Sequence, residues 1–599
     1  MPIDYRAPLD DMQFVLHNLI PMSVISNLPG YEDVSKDLVN TILEEAAKFA
    51  NQVLSPLNWS GDQAGCIYTN GTVQTPEGFK QAYQQYSEAA WISLAANTDF
   101  GGQGLPLSLA TPVNEMWHSA NMAFMLCPML TAGAIEAIEH HATPEQQAIF
   151  LPSLISGQWS GTMNLTEPGA GSDLSAVSTK AVPEDDHFLI TGTKIYITYG
   201  EHDFTENIIH LVLARLPDAP PGVKGISLFI VPKCLVNPDG SLGSRNDVRC
   251  LSIEHKLGIH ASPTAVMAFG EKTGAIGYLV GEANRGLEYM FTMMNNARLA
   301  VGLEGVAIAE RAYQHAAHYA KERVQGRIPG QSEKLPIVHH ADVQRMLMRM
   351  KTQTEAMRAL AYLAAAQSDF AQKHPDKAIR EASQLRVDLL TPIVKAWCTE
   401  QAIEIASLGI QVHGGMGYIE ETGAAQYLRD VRISSIYEGT TGIQAIDLLG
   451  RKIIRDEGAG ARRLLAEIQD CASELSLSSS TQLQSIAADL QKAVQSVSKA
   501  LDWVLHVHAT NPQATLTGAY PLLQCFGFIC GGWLMAQSAS LSGAVLQTDA
   551  SNAFALQKIA SATFYSQAIL PQVHGLADTV CAGASLAQAM QDGLAELLR

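Results

Sequence analysis

The chain is 599 residues long, 47 % hydrophobic and 17 % charged, ordinary for a globular protein with room for three or four domains. Lys and Arg total 40 against 59 for Asp and Glu, a formal net charge of -19. That balance argues against a general nucleic-acid or anionic-membrane surface, while a few local cations could still hold a phosphate-bearing ligand. The nine cysteines form no CxxC pair and no zinc-ligand grouping, which fits reduced thiols in the cytoplasm. No basic segment followed by an apolar run opens the chain, so no export signal is expected. The most apolar stretch, Phe526 to Ala536, is about half the length needed to cross a bilayer and reads as a buried helix, so no transmembrane segment is expected.

Four zones follow in order. Residues 1–160 carry helical spacing, with Thr143-Pro144-Glu145-Gln146 as a capping box. Residues 161–285 change period: His187–Ile190, Lys194–Thr198, Ile208–Ala214 and Ile226–Val231 read as strands separated by turn clusters. With no helix of useful length between them they are expected to pair antiparallel. From 286 to 457 the helical period returns, with Leu299, Leu303, Val306, Ala309, Tyr313, Ala317 and Ala320 on one face. A Gly-Ala-Gly break at 458–460 precedes a further helical zone, 461–599, in which Ser478-Ser479-Ser480 reads as a linker or helix start. The predicted class is α+β: an N-terminal helical domain, a central antiparallel β domain, a C-terminal helical bundle and an extra C-terminal helical domain. No complete GxGxxG follows a strand, so a nucleotide cofactor would bind by another route than a Rossmann turn.

Three segments carry chemistry, the first of them together with a strand some thirty residues on. Leu165-Thr166-Glu167-Pro168-Gly169-Ala170-Gly171-Ser172-Asp173 is either a tight capped turn or a loop whose backbone amides approach a flat, anionic ligand. Downstream, Lys194-Ile195-Tyr196-Ile197-Thr198 would place Tyr196 and Thr198 on one strand face, suited to covering a ring, or be an ordinary buried strand. Gln411-Val412-His413-Gly414-Gly415-Met416-Gly417-Tyr418 is a ligand loop or a helix C-cap. Ile436-Tyr437-Glu438-Gly439-Thr440-Thr441 holds a carboxylate in apolar and hydroxyl-rich surroundings. Poor solvation there would strengthen Glu438 as a base, although a Glu before a helix start also suits the helix dipole. His140 with His141 and His315 with His318 have no third ligand nearby, and no metal is expected.

Together the three segments resemble the acyl-CoA dehydrogenase family over about residues 1–455, in the family's order. The opening Tyr5-Arg6-Ala7-Pro8-Leu9-Asp10-Asp11-Met12 and the long C-terminal extension resemble its large bacterial subgroup. The resemblance implies FAD as cofactor and an acyl-CoA thioester as substrate, with Glu438 removing the α proton while the flavin accepts the β hydrogen. Thr166 and Ser172 would contact the flavin, with Tyr196 and Thr198 beside its ring. Arg323, Gln411 and Gly415 would reach a neighbouring subunit's FAD, and Thr440 would lie near a phosphate. Ser172, Asn295, Arg298 and the Gly439 region would meet the substrate. Gln325, Gly326 and Gly442 depart from the family's usual residues. Some relatives carry the base immediately before the Arg298 position, here Ala297, and Glu304 and Glu310 read as helix-face partners. Electrons would pass to an electron-transferring flavoprotein, the alternatives being an acyl-CoA oxidase using dioxygen or a non-catalytic acyl-CoA-binding protein. A homodimer is expected, because the extra C-terminal zone would occupy the surface through which shorter relatives form tetramers.

Overall fold

The computed structural model describes residues 3–20 and 22–597, in two compact units. One consists of Asp4–Ala7 with Glu45–Ala300; the other gathers Met1–Ile3, Pro8–Glu44 and Val301–Arg599.

The unit formed by Glu45–Ala300 combines helices with a β-sheet. Its Leu107–His141 helix loses helical geometry at Asn121 (φ -158, ψ 89), whose Oδ1 accepts from Phe124 N at 3.1 Å and so restarts the helix. The capping box forms as the sequence predicts: Gln146 N donates to Thr143 Oγ1 (3.3 Å) and Thr143 N to Gln146 Oε1 (3.1 Å), opening helix Pro144–Ile155. A hairpin, Ile67–Thr69 with Thr72–Gln74, interrupts the zone read as wholly helical. Its signal was present in Asn70-Gly71, both at positive φ (51 and 89), the dipeptide that a tight hairpin turn favours.

The main sheet has eight strands. Along it lie 248–253, 264–269, 187–198, 275–279, 226–232, 207–215 and 159–164, with 180–184 paired to 187–198. The antiparallel expectation needs one correction: Trp159–Asn164 runs parallel to Asn207–Arg215, and Lys180 bridges Arg215 in the same sense. The intervening loop and hairpin carry the chain back to the starting end of the sheet, which only a parallel pairing accommodates. Strand 159–164 is wholly buried despite Ser160, Thr162 and Asn164. Its polar side is matched by histidines, Ser160 Oγ lying 2.9 Å from His202 Nε2 and Thr162 Oγ1 2.7 Å from His210 Nδ1.

In the other unit the Ala341–Lys373 and Lys377–His413 helices pack against the part of helix Gly286–Glu322 beyond residue 300. The expected single apolar face becomes burial on every side over residues 301–312, because this helix runs through the middle of the bundle. Gly302 and Gly305 permit its closest approach: a Cβ on Gly305 would sit 2.7 Å from the Cys398 carbonyl oxygen. Beyond Gly458 (φ 78) the chain forms helices Ala459–Ser476 and Thr481–His508, the second capped by Ser480 as its serines predict. The apolar stretch at 526–536 lies in a helix longer than expected, Ala519–Thr548. That helix and Leu107–His141 are long and apolar enough to cross a membrane by length and composition, but 94% and 83% of their apolar windows are buried within the protein. Gly527 lets the first pack on Trp397, whose Cγ would lie 2.2 Å from an added Cβ.

A buried charge cluster ties four helices of this unit together. Asp11 accepts from Arg358 Nη1 at 2.6 Å and from Lys558; Arg358 Nη2 also donates to Glu310 at 2.8 Å. Lys558 lies 3.2 Å from Glu355, which pairs with Lys351 as well. Three carboxylates thus balance three cations, so the cluster buries no net charge. Glu310, read as a helix-face partner, accepts from Gln314 one turn along its own helix at 2.9 Å and joins this network through Arg358.

Candidate active site

In the unit built on Glu45–Ala300, the Thr166–Asp173 loop is held by one carboxylate. Glu167 is buried and accepts from Ser178 N (2.7 Å) and Oγ (2.6 Å), Thr179 N (3.1 Å) and Oγ1 (2.6 Å), and Lys194 Nζ (2.7 Å). Lys194, wholly buried, also donates to the Leu165 carbonyl at 3.0 Å. Burial opposes ionisation of Glu167, but Lys194 and the hydroxyl donors outweigh it and hold the carboxyl below its usual range. Burial pulls the Lys194 ammonium down to about 8, with Glu167 partly offsetting the loss. The pair is ionised at neutral pH and locks loop to strand, which a further bond from Ile195 N to the Thr166 carbonyl (2.9 Å) completes.

The loop's other face is open. Added Cβ atoms on Gly169 and Gly171 would meet nothing within 4 Å, so a ligand can approach the backbone there. Ser172 is exposed, Thr166 and Thr198 are half-buried, and none of these hydroxyls has a hydrogen-bond partner among the described residues. Tyr196 is 61 % exposed and has φ 60. Strict alternation fails just before it. Ala265 pairs with Ile197 but Met267 with Lys194, so two residues of one strand face one of the other. This bulge sends Lys194 into the core and Tyr196 outward, on the side of Thr198. Asn295, exposed, and Arg298, buried, lie on the first turns of helix Gly286–Glu322 in the same unit.

In the other unit, Glu438 lies between a 3-10 turn, Arg432–Ser435, and the short helix Thr441–Asp447. Glu438 and Gly439 both have positive φ (53 and 90), and for a non-glycine residue this costs about 1–2 kcal/mol. The flanks hold the conformation. Thr440 caps the following helix by accepting from Ile443 N at 3.3 Å, and Thr441 Oγ1 donates to Glu400 at 2.6 Å. Gln444, wholly buried, donates to the Gly439 carbonyl at 3.4 Å and lies 3.5 Å from that of Glu438. On the other side, Tyr437 Oη donates to Glu304 Oε2 at 2.5 Å. The Glu438 side chain is half-buried.

Glu304 is fully enclosed, not a helix-face partner. Burial pushes its carboxyl up to about 8; Tyr437 and Lys395 pull the other way, and Glu438 adds to the rise. A carboxyl raised on folding is easier to bury protonated. Its stabilising protonation is complete below the unfolded value near 4.5 and is lost as pH rises to about 8. Glu304→Gln is therefore expected to gain stability relative to the parent across that interval and to hold the gain above it. Urea unfolding at a series of pH values measures this, and a difference independent of pH would contradict the buried acid.

Arg323, Gln411 and Gly415 are all exposed in this unit, at helix ends or just beyond. Gly414 (φ 62) is the C-cap of helix Lys377–His413, and the glycine-rich segment continues as a 3-10 turn, Gly414–Tyr418, open at Gly414 and Gly415 and packed against the helix at Gly417. Glu167 with Lys194, and Glu304 with Tyr437, are pairs that the sequence does not single out. A lysine inside an apolar strand was the available signal for the first; the second joins residues 133 positions apart and left no local signal.

Four family models match the chain: the acyl-CoA dehydrogenase N-terminal domain at residues 39–158, its middle domain at 162–271, its C-terminal domain at 284–453, and an acetyl-CoA dehydrogenase C-terminal-like region at 464–591. The chain belongs to the acyl-CoA dehydrogenase family. Among relatives, a 3-methylmercaptopropionyl-CoA dehydrogenase of Ruegeria pomeroyi is 48% identical, over 94% of this chain and 96% of its own. A broad-specificity linear acyl-CoA dehydrogenase of Mycobacterium tuberculosis is 34% identical, over 95% and 96%. A solved acyl-CoA dehydrogenase from Bacillus anthracis, complexed with FAD, shares the fold with a TM-score of 0.73 at 21% identity, covering 96% of this chain and 94% of that one.

Proposed function

We propose that this protein is an FAD-dependent acyl-CoA dehydrogenase that converts an acyl-CoA thioester to the trans-2-enoyl-CoA, with Glu438 as the base. The observation that carries the reading is the Tyr437–Gly439 turn: a half-buried carboxylate on a left-handed backbone, pinned on both flanks. An α C–H beside a thioester is a weak acid, so its removal needs a fixed, poorly solvated carboxylate. The backbone N–H of Glu438 suits the second requirement, a donor for the thioester oxygen as negative charge develops there.

The residues of the β unit fit the cofactor. Unpartnered hydroxyls on Thr166, Ser172 and Thr198, an exposed Tyr196 and an open glycine loop make a polar, close-approach surface beside an aromatic face. FAD, when bound, supplies the acceptor for the β hydrogen. The protein's part is to orient it and to shield the base from water. Asn295 and Arg298 are assigned to the CoA arm. Exposed Arg323, Gln411 and Gly415 are assigned to a neighbouring subunit's FAD, and with them the protein works as a homodimer. Electrons leave to an electron-transferring flavoprotein, and nine free thiols suit a reducing cytoplasm. The relatives cited above are named as dehydrogenases, which favours that outlet over dioxygen.

The test is a panel of acyl-CoAs, butyryl-CoA and 3-methylmercaptopropionyl-CoA included, assayed with an electron-transferring flavoprotein and with an artificial acceptor while oxygen is monitored. Acceptor reduction without matching oxygen consumption is expected. Stoichiometric oxygen uptake would make the protein an oxidase, and no reaction with any thioester would refute the activity.

A further inference from the structure

Glu304 is costly where it stands. It is 0% exposed, its Oε1 has no hydrogen-bond partner among the described residues, and an apolar side chain of similar size would pack there without that penalty. Neighbouring Gly305 draws the backbone of helix Lys377–His413 against its own helix, so the carboxyl is boxed in and has little freedom to seek another partner. Among the described residues its carboxyl has one hydrogen bond, from Tyr437, the residue immediately before Glu438. The charged and titratable groups acting on it are Lys395 from helix Lys377–His413, and Tyr437 and Glu438 from the turn.

The turn needs such a partner. A left-handed glutamate followed by a left-handed glycine persists only where its neighbours are fixed. On the C-terminal side Thr440, Thr441 and Gln444 all hold it. On the N-terminal side Thr441 Oγ1 holds the Ser435 carbonyl at 3.3 Å, and the bond from Tyr437 to Glu304 anchors the residue next to Glu438. We propose that Glu304 is a positioning residue for the base: through Tyr437 it fixes the entry to the left-handed turn and so aims the Glu438 carboxylate at the substrate α carbon. The proposal rests on the reading of Glu438 as the base. Because burial keeps Glu304 protonated at neutral pH, it accepts from Tyr437 without placing a second full negative charge beside Glu438.

Three variants of the FAD-loaded enzyme test this: Glu304→Leu, which fills the space but accepts no hydrogen bond; Glu304→Gln, which keeps an acceptor oxygen; and Tyr437→Phe, which deletes the donor without opening a cavity. Displacing a catalytic group by about 1 Å costs roughly 10²-fold in rate. Glu304→Leu and Tyr437→Phe are therefore expected to lose roughly that much in kcat and in α-proton exchange with heavy water, with KM little changed. Glu304→Gln should recover most of the loss. The Leu and Phe changes combined should cost no more than either alone, since both break one bond. Wild-type kcat in Tyr437→Phe, or effects that multiply in the double variant, would overturn the proposal, even where Glu304→Leu folds poorly. Glu438→Gln, assayed alongside, separates the two readings: if it is active, the base lies elsewhere, whereas if it is inactive and Tyr437→Phe is normal, only the positioning role falls.

Discussion

Glu438→Gln is expected to lower turnover by at least roughly 10²–10⁴-fold, the range that general-base catalysis alone supplies. The amide keeps the side chain's shape and cannot accept the α proton. The backbone of the turn is held by Gln444, Thr440 and Tyr437, none of which depends on the Glu438 charge, so the fold of the segment should survive. Flavin content and acyl-CoA affinity should therefore stay near those of the parent. Exchange of the α proton with heavy water should vanish as well, which separates loss of the base from a fault in hydride transfer. A Gln variant with near-normal turnover would move the base to another carboxyl, and Glu304, close enough to sense the Glu438 charge, would be next to test.

Asp11→Ala is expected to destabilise the unit that holds it by about 3–5 kcal/mol, because it leaves Arg358 and Lys558 buried with one carboxylate fewer between them. Burial alone would raise the Asp11 carboxyl, but Lys558 and Arg358 outweigh it and hold it well below the ordinary 3.8. The sign follows. The stabilisation is fully present above that ordinary value and is lost as pH falls through the depressed one, so the cost of the substitution should shrink in acid. The cluster joins the N-terminal segment, helix Ala341–Lys373 and helix Ala553–Phe564, so the C-terminal helices should loosen in the same transition. Differential scanning calorimetry over a pH series, with limited proteolysis of the C-terminal region, measures both effects. An unfolding transition like the parent's at neutral pH would show that the cluster carries no net stability.

The sequence by itself determined what local chemistry determines. Thr143 and Gln146 signal a helix start because their side chains satisfy backbone groups within the same turn, and Ser480 does likewise. The zones of helix, strand and helix follow from period alone, whereas Glu438, Thr166 and Tyr196 are marked out only by the joint resemblance of their segments to the family. Tertiary structure decided the rest. The parallel pairing of Trp159–Asn164 with Asn207–Arg215 depends on how the chain returns over more than forty residues, which no window of sequence encodes. The bulge that buries Lys194 and exposes Tyr196 depends on register against a strand some seventy residues away. Asp11 reads in sequence only as part of an opening motif and Glu304 only as a helix-face partner; the fold brings Arg358 and Lys558 to the first and Tyr437 to the second. In each case the deciding energy is that of a buried polar group meeting its partner. Partners far apart in the chain meet only when the fold is complete.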